Sequence, residues 1–265
     1  MSDDNADQAA RFESTVEQYA VYRPEYPDPP FEYLRERFGL DGTGRLLALG
    51  CGTGRLGVAL AADFAEVVGL DPNRAMVEHA RERAAVAGTA HSEWRVGSDA
   101  DLPDLAPELD PLRLTVMGRA FHWMDHARTL DTLYDSTEPG GGVALLSDTE
   151  WLARGTADWQ DAVYEVVADY LDEAPDRTGP VEYDDPWDEK LEAHGFQNAE
   201  ERTCDVDREW DADGVVGYLL SLSFCSPAVL GDDRTAFERD VRAALEEFAE
   251  PYEEEATVSV IAGER

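Results

Sequence analysis

Lysine is nearly missing from this chain. Of 22 lysines and arginines only Lys190 is a lysine, against 58 aspartates and glutamates, which leaves a formal net charge of -36 over 265 residues. No Lys/Arg cluster offsets this excess, so the surface repels phosphate backbones and anionic headgroups, and neither nucleic acid nor a membrane surface is expected as a partner. Cysteine is scarce too. Cys51, Cys204 and Cys225 are too few and too scattered for a disulfide framework or a Cys-x-x-Cys metal site, and they read as small packing residues in a reducing compartment. No run of about 18 apolar residues offers a membrane span, and residues 1–10 are acidic and polar where a leader would be basic and then apolar. The expectation is a soluble, cytoplasmic protein.

Disorder is the simplest account of so much charge, but 43% of the residues are hydrophobic and their periodicity persists through most of the chain. A folded domain carrying this much carboxylate repels itself in dilute buffer. At molar salt the screening length falls to about 3 Å and the repulsion fades. A salt-filled, halophilic cytoplasm is therefore the expected setting, and the length suits one α/β domain with additions.

Strand and helix patterns begin to alternate after about forty residues. Residues 31–38 place Phe31, Leu34 and Phe38 on one helical face ended by Gly39. Strands are expected at 45–49, 66–70, 94–96, 112–117 and 143–146, with helices at 56–64 and 74–87 between the early ones and a turn at 139–142 before the last. Such spacing implies parallel strands with right-handed crossovers, hence a doubly wound sheet that binds ligands at the carboxyl ends of its strands. Farther on, helices are expected at 159–171, 186–194 and 235–248, and two late strands at 199–206 and 257–261 flank an insert at 211–250. The division that follows is a lead-in or lid at 1–44, a cofactor-binding core at 45–146 and a substrate-covering part at 147–265, all within one domain.

Arg45 to Leu49 is an apolar strand that runs straight into Gly50-Cys51-Gly52-Thr53-Gly54, and Asp71 closes the next strand. Glycines let backbone N–H groups approach a ligand with no Cβ between, and a carboxylate about twenty residues on can accept two ribose hydroxyls. Asp71 could instead cap the following helix, as Asp before Pro72 commonly does. Gly52, Gly54 and Gly57 also spell the dinucleotide fingerprint G-x-G-x-x-G, although the match starts two residues after the strand ends while Gly50 follows Leu49 directly.

In the order strand, Gly-x-Gly-x-Gly, helix, strand, Asp, the chain resembles the class I S-adenosylmethionine-dependent methyltransferases, and within them the small-molecule group related to trans-aconitate methyltransferase. The resemblance implies a Rossmann-like, mostly parallel seven-stranded sheet whose last two strands form an antiparallel pair. It implies S-adenosylmethionine as cofactor, held by Gly50, Cys51, Gly52, Gly54, Asp71 and Pro72, with Gly118 at the end of the fourth strand. The stretch Val96-Gly97-Ser98-Asp99-Ala100 looks like the acidic loop that receives adenine, so Asp99 and Ala100 become adenine contacts with Ser98 nearby, and Met76 packs against adenine or in the core. Tyr19 and Arg23 lie in a segment that resembles a lead-in folded over the cofactor. Gly118-Arg119-Ala120-Phe121-His122-Trp123 resembles a loop that borders the acceptor, where His122 is a general base, a residue that orients the acceptor, or a hydrogen-bonded, partly buried structural histidine.

Transfer of an already activated sulfonium methyl needs chiefly alignment within about 3 to 3.5 Å and exclusion of water, so no catalytic side chain is chemically required, and His122 is a candidate only through the resemblance. Phe121, Trp123, Trp151 and Trp159 could line an acceptor pocket or fill the core. No metal is expected, because His122 and His126 lack the glutamate and third ligand of a zinc site. Three readings stay open: methyl transfer to a small molecule, NAD(P)-dependent oxidoreduction, and cofactor binding without catalysis.

Overall fold

The computed structural model describes residues 3–171, Ala174 and 186–265. In chain order the helices and strands are α1 (Asp3–Tyr22), α2 (Asp28–Phe38), β1 (Arg45–Leu49), α3 (Arg55–Ala59), β2 (Glu66–Asp71), α4 (Arg74–Ala87), β3 (Ser92–Val96) and α5 (Leu102–Leu109). There follow β4 (Leu112–Gly118), α6 (His126–Ser136), β5 (Thr137–Asp148), α7 (Trp151–Arg154), α8 (Asp158–Tyr170), α9 (Trp187–Ala193) and β6 (Gln197–Trp210). The chain ends with α10 (Ala212–Leu220), α11 (Pro227–Leu230), α12 (Arg234–Leu245) and β7 (Tyr252–Glu264).

Seven strands form one sheet in the order β3-β2-β1-β4-β5-β7-β6. The pairs from β3 to β5 are parallel, while β7 runs antiparallel to β5 with Val143 opposite Gly263 and Leu146 opposite Val260. Alternation along the strands sends side chains to two faces. Leu46, Ala48, Val67, Leu114, Val116, Ala144 and Leu146 meet α2, α3 and α4 on one side. Leu47, Leu49, Val68, Leu70, Val143 and Leu145 meet α5, α6 and α9 on the other. This is the doubly wound arrangement that the sequence predicts.

Packing divides the chain into two compact units: Glu25–Asp148, Tyr183–Cys204 and Val258–Arg265 make the sheet unit, and Met1–Pro24, Thr149–Glu182 and Asp205–Thr257 make a mostly helical one. The helical unit has its own core, in which the indole of Trp151 (1% exposed) lies 4.8 Å from that of Trp159 and 5.3 Å from the ring of Tyr218. Residues 25–44 belong to the sheet unit, and α1 packs with α10 and α11 in the helical one. Among the described residues no single helix is long and apolar enough to cross a membrane.

Local chemistry explains the elements around the site. Gly39 ends α2 in the left-handed conformation (φ 55) and donates its N–H to Arg35 O. Asn73 caps α4, its side chain accepting from the N–H groups of Ala75 and Met76. The helix expected at 56–64 is shorter than predicted: α3 stops at Ala59 and a 3-10 turn follows at Ala61–Asp63. The turn expected at 139–142 lies inside β5, which starts at Thr137 and pairs with β4 through a register shift.

Candidate functional site

The loop Gly50 to Gly54 takes three left-handed glycines, with φ 65 at Gly50, 51 at Gly52 and 81 at Gly54, a backbone that L side chains adopt at a cost of about 1–2 kcal/mol each. At Gly50 space is decisive as well, since a Cβ there would lie 2.4 Å from the Cβ of Ala120. At Gly54 it would press on Ala80 of α4, and at Gly57 on the indole of Trp94. Gly57 thus serves close helix packing, while Gly50 serves the contact between the loops after β1 and β4.

Asp71 ends β2 beside this loop. Its Oδ2 accepts the N–H of Gly52 at 2.8 Å and its Oδ1 that of Asn73 at 2.9 Å. Asn73, not Asp71, caps α4, so the capping role open to Asp71 in the sequence is taken by its neighbour. Burial pushes the Asp71 carboxyl above the ordinary aspartate value, and the N–H groups of Asn73 and Gly52 pull it partly back. A carboxylate offers about four lone-pair sites, so two amide bonds leave capacity for further donors. Cys51 is held by its N–H to Leu70 O at 2.9 Å, and burial, with Asp71 adding to it, pushes its thiol well up, which keeps the sulfur neutral and poor as a nucleophile.

A set of hydrogen bonds joins the four loops at the carboxyl ends of β1 to β4. Gly52 bonds Asp71, the Asp71 carbonyl accepts the N–H of Gly97 at 3.0 Å, and Asp99 Oδ2 accepts the N–H of Asp125 at 3.2 Å and the Arg128 guanidinium at 3.0 Å. Inside the loop after β3, Asp101 accepts from the N–H and hydroxyl of Ser98, and the Ser98 hydroxyl accepts the N–H of Ala100. Pro72 is exposed and Met76 is buried at the start of α4. Gly118 is crowded by Leu56 and the Tyr26 hydroxyl, and Arg119 turns left-handed (φ 51) while pairing with Asp148 at 2.7 Å. His122 is exposed on a 3-10 turn, its ring 4.9 Å from that of Trp123 (58% exposed).

The structure therefore brings together Gly50, Cys51, Gly52, Gly54, Asp71, Pro72, Met76, Ser98, Asp99, Ala100, Gly118 and His122 along adjacent strand ends of one unit. Tyr19 and Arg23 fall in the other unit, where the Arg23 guanidinium lies over the rings of Tyr19 at 5.2 Å and Tyr218 at 5.0 Å and donates to Ser221 O at 3.4 Å. Of the aromatics expected in a pocket or the core, Phe121, Trp151 and Trp159 are core, and Trp123 alone is exposed. Among the described residues no group of three or more His, Cys, Asp and Glu is placed to hold a metal ion. The rim also depends on residues that the sequence pattern does not single out: Arg128, Asp101, and Glu25, whose carboxylate takes Arg55 at 3.6 Å and Arg83 at 3.0 Å. Only the i,i+3 spacing of Ser98 and Asp101 hints at any of these from sequence.

Residues 46–141 match the family model of a methyltransferase domain. A trans-aconitate 2-methyltransferase of Mycobacterium tuberculosis is 34% identical over 119 residues, 44% of this chain and 41% of that protein. Over this segment the chain is similar to methyltransferases. A methyltransferase-like protein of Schizosaccharomyces pombe is 25% identical over 186 residues, 70% of this chain and 66% of its own length, so the chain spans from under half to about two thirds of these relatives. Two solved structures share the class I methyltransferase fold. A putative type II methyltransferase from Anaeromyxobacter dehalogenans has TM-score 0.60 and 22% identity, covering 92% of this chain and 98% of that one. A methyltransferase from Geobacter sulfurreducens, solved in complex with S-adenosylhomocysteine, has TM-score 0.52 and 17% identity, covering 97% and 98%.

Proposed function

We propose that this protein transfers the methyl group of S-adenosylmethionine to a small-molecule acceptor. One observation carries the reading: the Asp71 carboxylate, at the end of β2, is tied to the Gly52 amide of the glycine loop, which joins an acceptor for ribose hydroxyls to a stretch of backbone bare of Cβ atoms. Asp71 then binds the ribose, and Gly50, Cys51, Gly52 and Gly54 let the backbone approach the ligand. Because Asp99 Oδ2 is engaged by Arg128 and Asp125, the adenine amine falls to Asp99 Oδ1, with Ala100, Ser98 and Met76 around the base. Tyr19 and Arg23 join on the resemblance alone, as does the division into lid, core and substrate-covering part of one domain.

When bound, the sulfonium supplies a methyl group already activated for in-line displacement. The chain has to orient an acceptor and exclude water. Gly118 and the turn from Phe121 to Trp123 are the proposed acceptor border, and His122, exposed on that turn, is the proposed base for a proton from an acceptor hydroxyl, amine or acid. The name of the Mycobacterium tuberculosis relative favours a small metabolite over a macromolecule, and the net charge of -36 disfavours nucleic acid and suits a halophilic cytoplasm.

Calorimetry with S-adenosylhomocysteine and with NAD, followed by transfer of labelled methyl into a metabolite extract, tests the proposal. Binding of the homocysteine nucleoside together with a labelled product supports it. Binding of NAD alone would show an oxidoreductase, and nucleoside binding with no labelled product would show a non-catalytic binder.

A further inference from the structure

The only lysine of the chain stands behind the turn that carries His122. Lys190, on α9, has its Nζ 3.0 Å from Nδ1 of His126, the first residue of α6. The His126 ring stacks on Phe121 at 4.4 Å and 25°, and Trp187, the first residue of α9, meets the same Phe121 edge-on at 5.7 Å. Phe121 is 1% exposed and opens the 3-10 turn Phe121–Trp123. One helix therefore grips the turn twice, through an aromatic edge and through an ammonium.

An ammonium has three donors and no acceptor, so the hydrogen bond at Nδ1 requires the imidazole to accept there and to carry its proton on Nε2. His126 Nε2 is buried and, among the described residues, has no hydrogen-bond partner. A buried N–H left unmatched is a cost, tolerated here while the bond at Nδ1 fixes tautomer and ring plane together. Arginine would be a poor replacement, because its planar fork is longer and spreads its donors over five N–H groups. That supplies a physical reason for a lysine at this position in a chain whose other cations of this kind are all arginine.

We infer that Lys190 is a positioning residue that locks His126 as the Nε2–H tautomer and thereby holds Phe121, and with it His122 and Trp123, at the acceptor side of the site. The part concerning the acceptor rests on the proposed function. The tautomer and the grip on the turn do not.

The test uses the full chain labelled with nitrogen-15 at histidine, together with Lys190→Met, which keeps the stem and removes the ammonium, and Lys190→Arg. The expected wild-type spectrum shows His126 protonated on Nε2 and bare on Nδ1. Lys190→Met loses that pattern, and amide exchange over residues 121–124 rises about tenfold, the loss expected for one charge-assisted hydrogen bond, while β1 and β2 keep their protection; Lys190→Arg does not restore the turn. With an acceptor in hand, kcat falls in both variants while affinity for S-adenosylhomocysteine stays within about twofold, a split that a general loss of stability would not produce. A wild-type His126 protonated on Nδ1 overturns the inference even if neither variant folds, and so does unchanged exchange at 121–124 in a folded Lys190→Met. Failure of the wild type to bind S-adenosylhomocysteine would instead count against the methyltransferase reading and leave the tautomer result standing.

Discussion

Replacing Asp71 by alanine removes the acceptor proposed for two ribose hydroxyls. A hydrogen bond to a charged group contributes about 1.5–3 kcal/mol, so losing two, at the low end of that range, costs about 3 kcal/mol and weakens S-adenosylhomocysteine binding on the order of a hundredfold. Part of that loss belongs to the loop, because the N–H groups of Gly52 and Asn73 also lose their acceptor. Asp71→Asn separates the two contributions, since it keeps one acceptor oxygen of the same shape but no charge, and its affinity should fall between wild type and alanine. The pH dependence is a second handle. Burial holds the Asp71 carboxyl above the ordinary aspartate value, so in the ligand-free protein its contribution to stability is fully present below the unfolded value of 3.8 and is lost as pH rises through the folded one. Ribose donors favour the ionised form. Binding should therefore release a proton in the acid range, and affinity should begin to fall at a higher pH than for an ordinary aspartate, whereas Asp71→Asn should show neither effect. Calorimetry in two buffers of different ionisation enthalpy reads both. Affinity of Asp71→Ala within threefold of wild type, with the protein folded, would refute the assignment.

The remaining predictions concern stability. Surface pairs such as Arg95 with Glu93 and Glu108, at 2.7 Å each, contribute at most about 1 kcal/mol and weaken with salt, so the net charge of -36 should dominate, and the thermal midpoint should rise with KCl into the molar range; a falling midpoint would show that pairs outweigh repulsion. Gly50→Ala combines a left-handed φ with a Cβ 2.4 Å from Ala120 and should destabilise by about 3 kcal/mol. Gly88→Ala has the same backbone handicap but open space and should cost about 1 kcal/mol; equal shifts in the urea midpoint would remove the packing argument. Trp151→Ala should cost about 3–5 kcal/mol as a core truncation, and retention of full stability would return Trp151 to a pocket wall.

Much of the sheet unit is legible in the sequence because its causes are local. Residues 46–49 and 67–70 are continuous apolar runs closed by glycine or aspartate, and buried parallel strands need nothing else. Residues 74–87 carry their own cap at Asn73 and their own stop at Gly88. α5 escapes periodicity, since it has only eight residues and Pro107 falls inside it. The first residues of β5 read as a turn because three consecutive glycines hide a strand that its neighbour imposes. Trp151 and Trp159 look the same in sequence whether they line a pocket or fill a core, and only the rings of Trp210, Tyr218 and Tyr252 decide for the core.

The site divides along the same line. Gly50, Gly52, Gly54 and Asp71 are readable because a backbone conformation and a strand end each demand a residue type. Asp99 is not readable to the same depth. In sequence it is one of 58 acidic residues, yet its carboxylate is bound by Arg128, 29 positions away on α6. That pairing changes what Asp99 can offer a ligand: a carboxylate already neutralised by a guanidinium, with one oxygen engaged, acts as a single oriented acceptor and not as a free charge. An exocyclic amine needs no more than that, and a cationic ligand would need the charge. The pairing of Arg128 with Asp99 therefore favours a neutral base at the loop after β3, by a contact between residues that nothing in the local sequence connects.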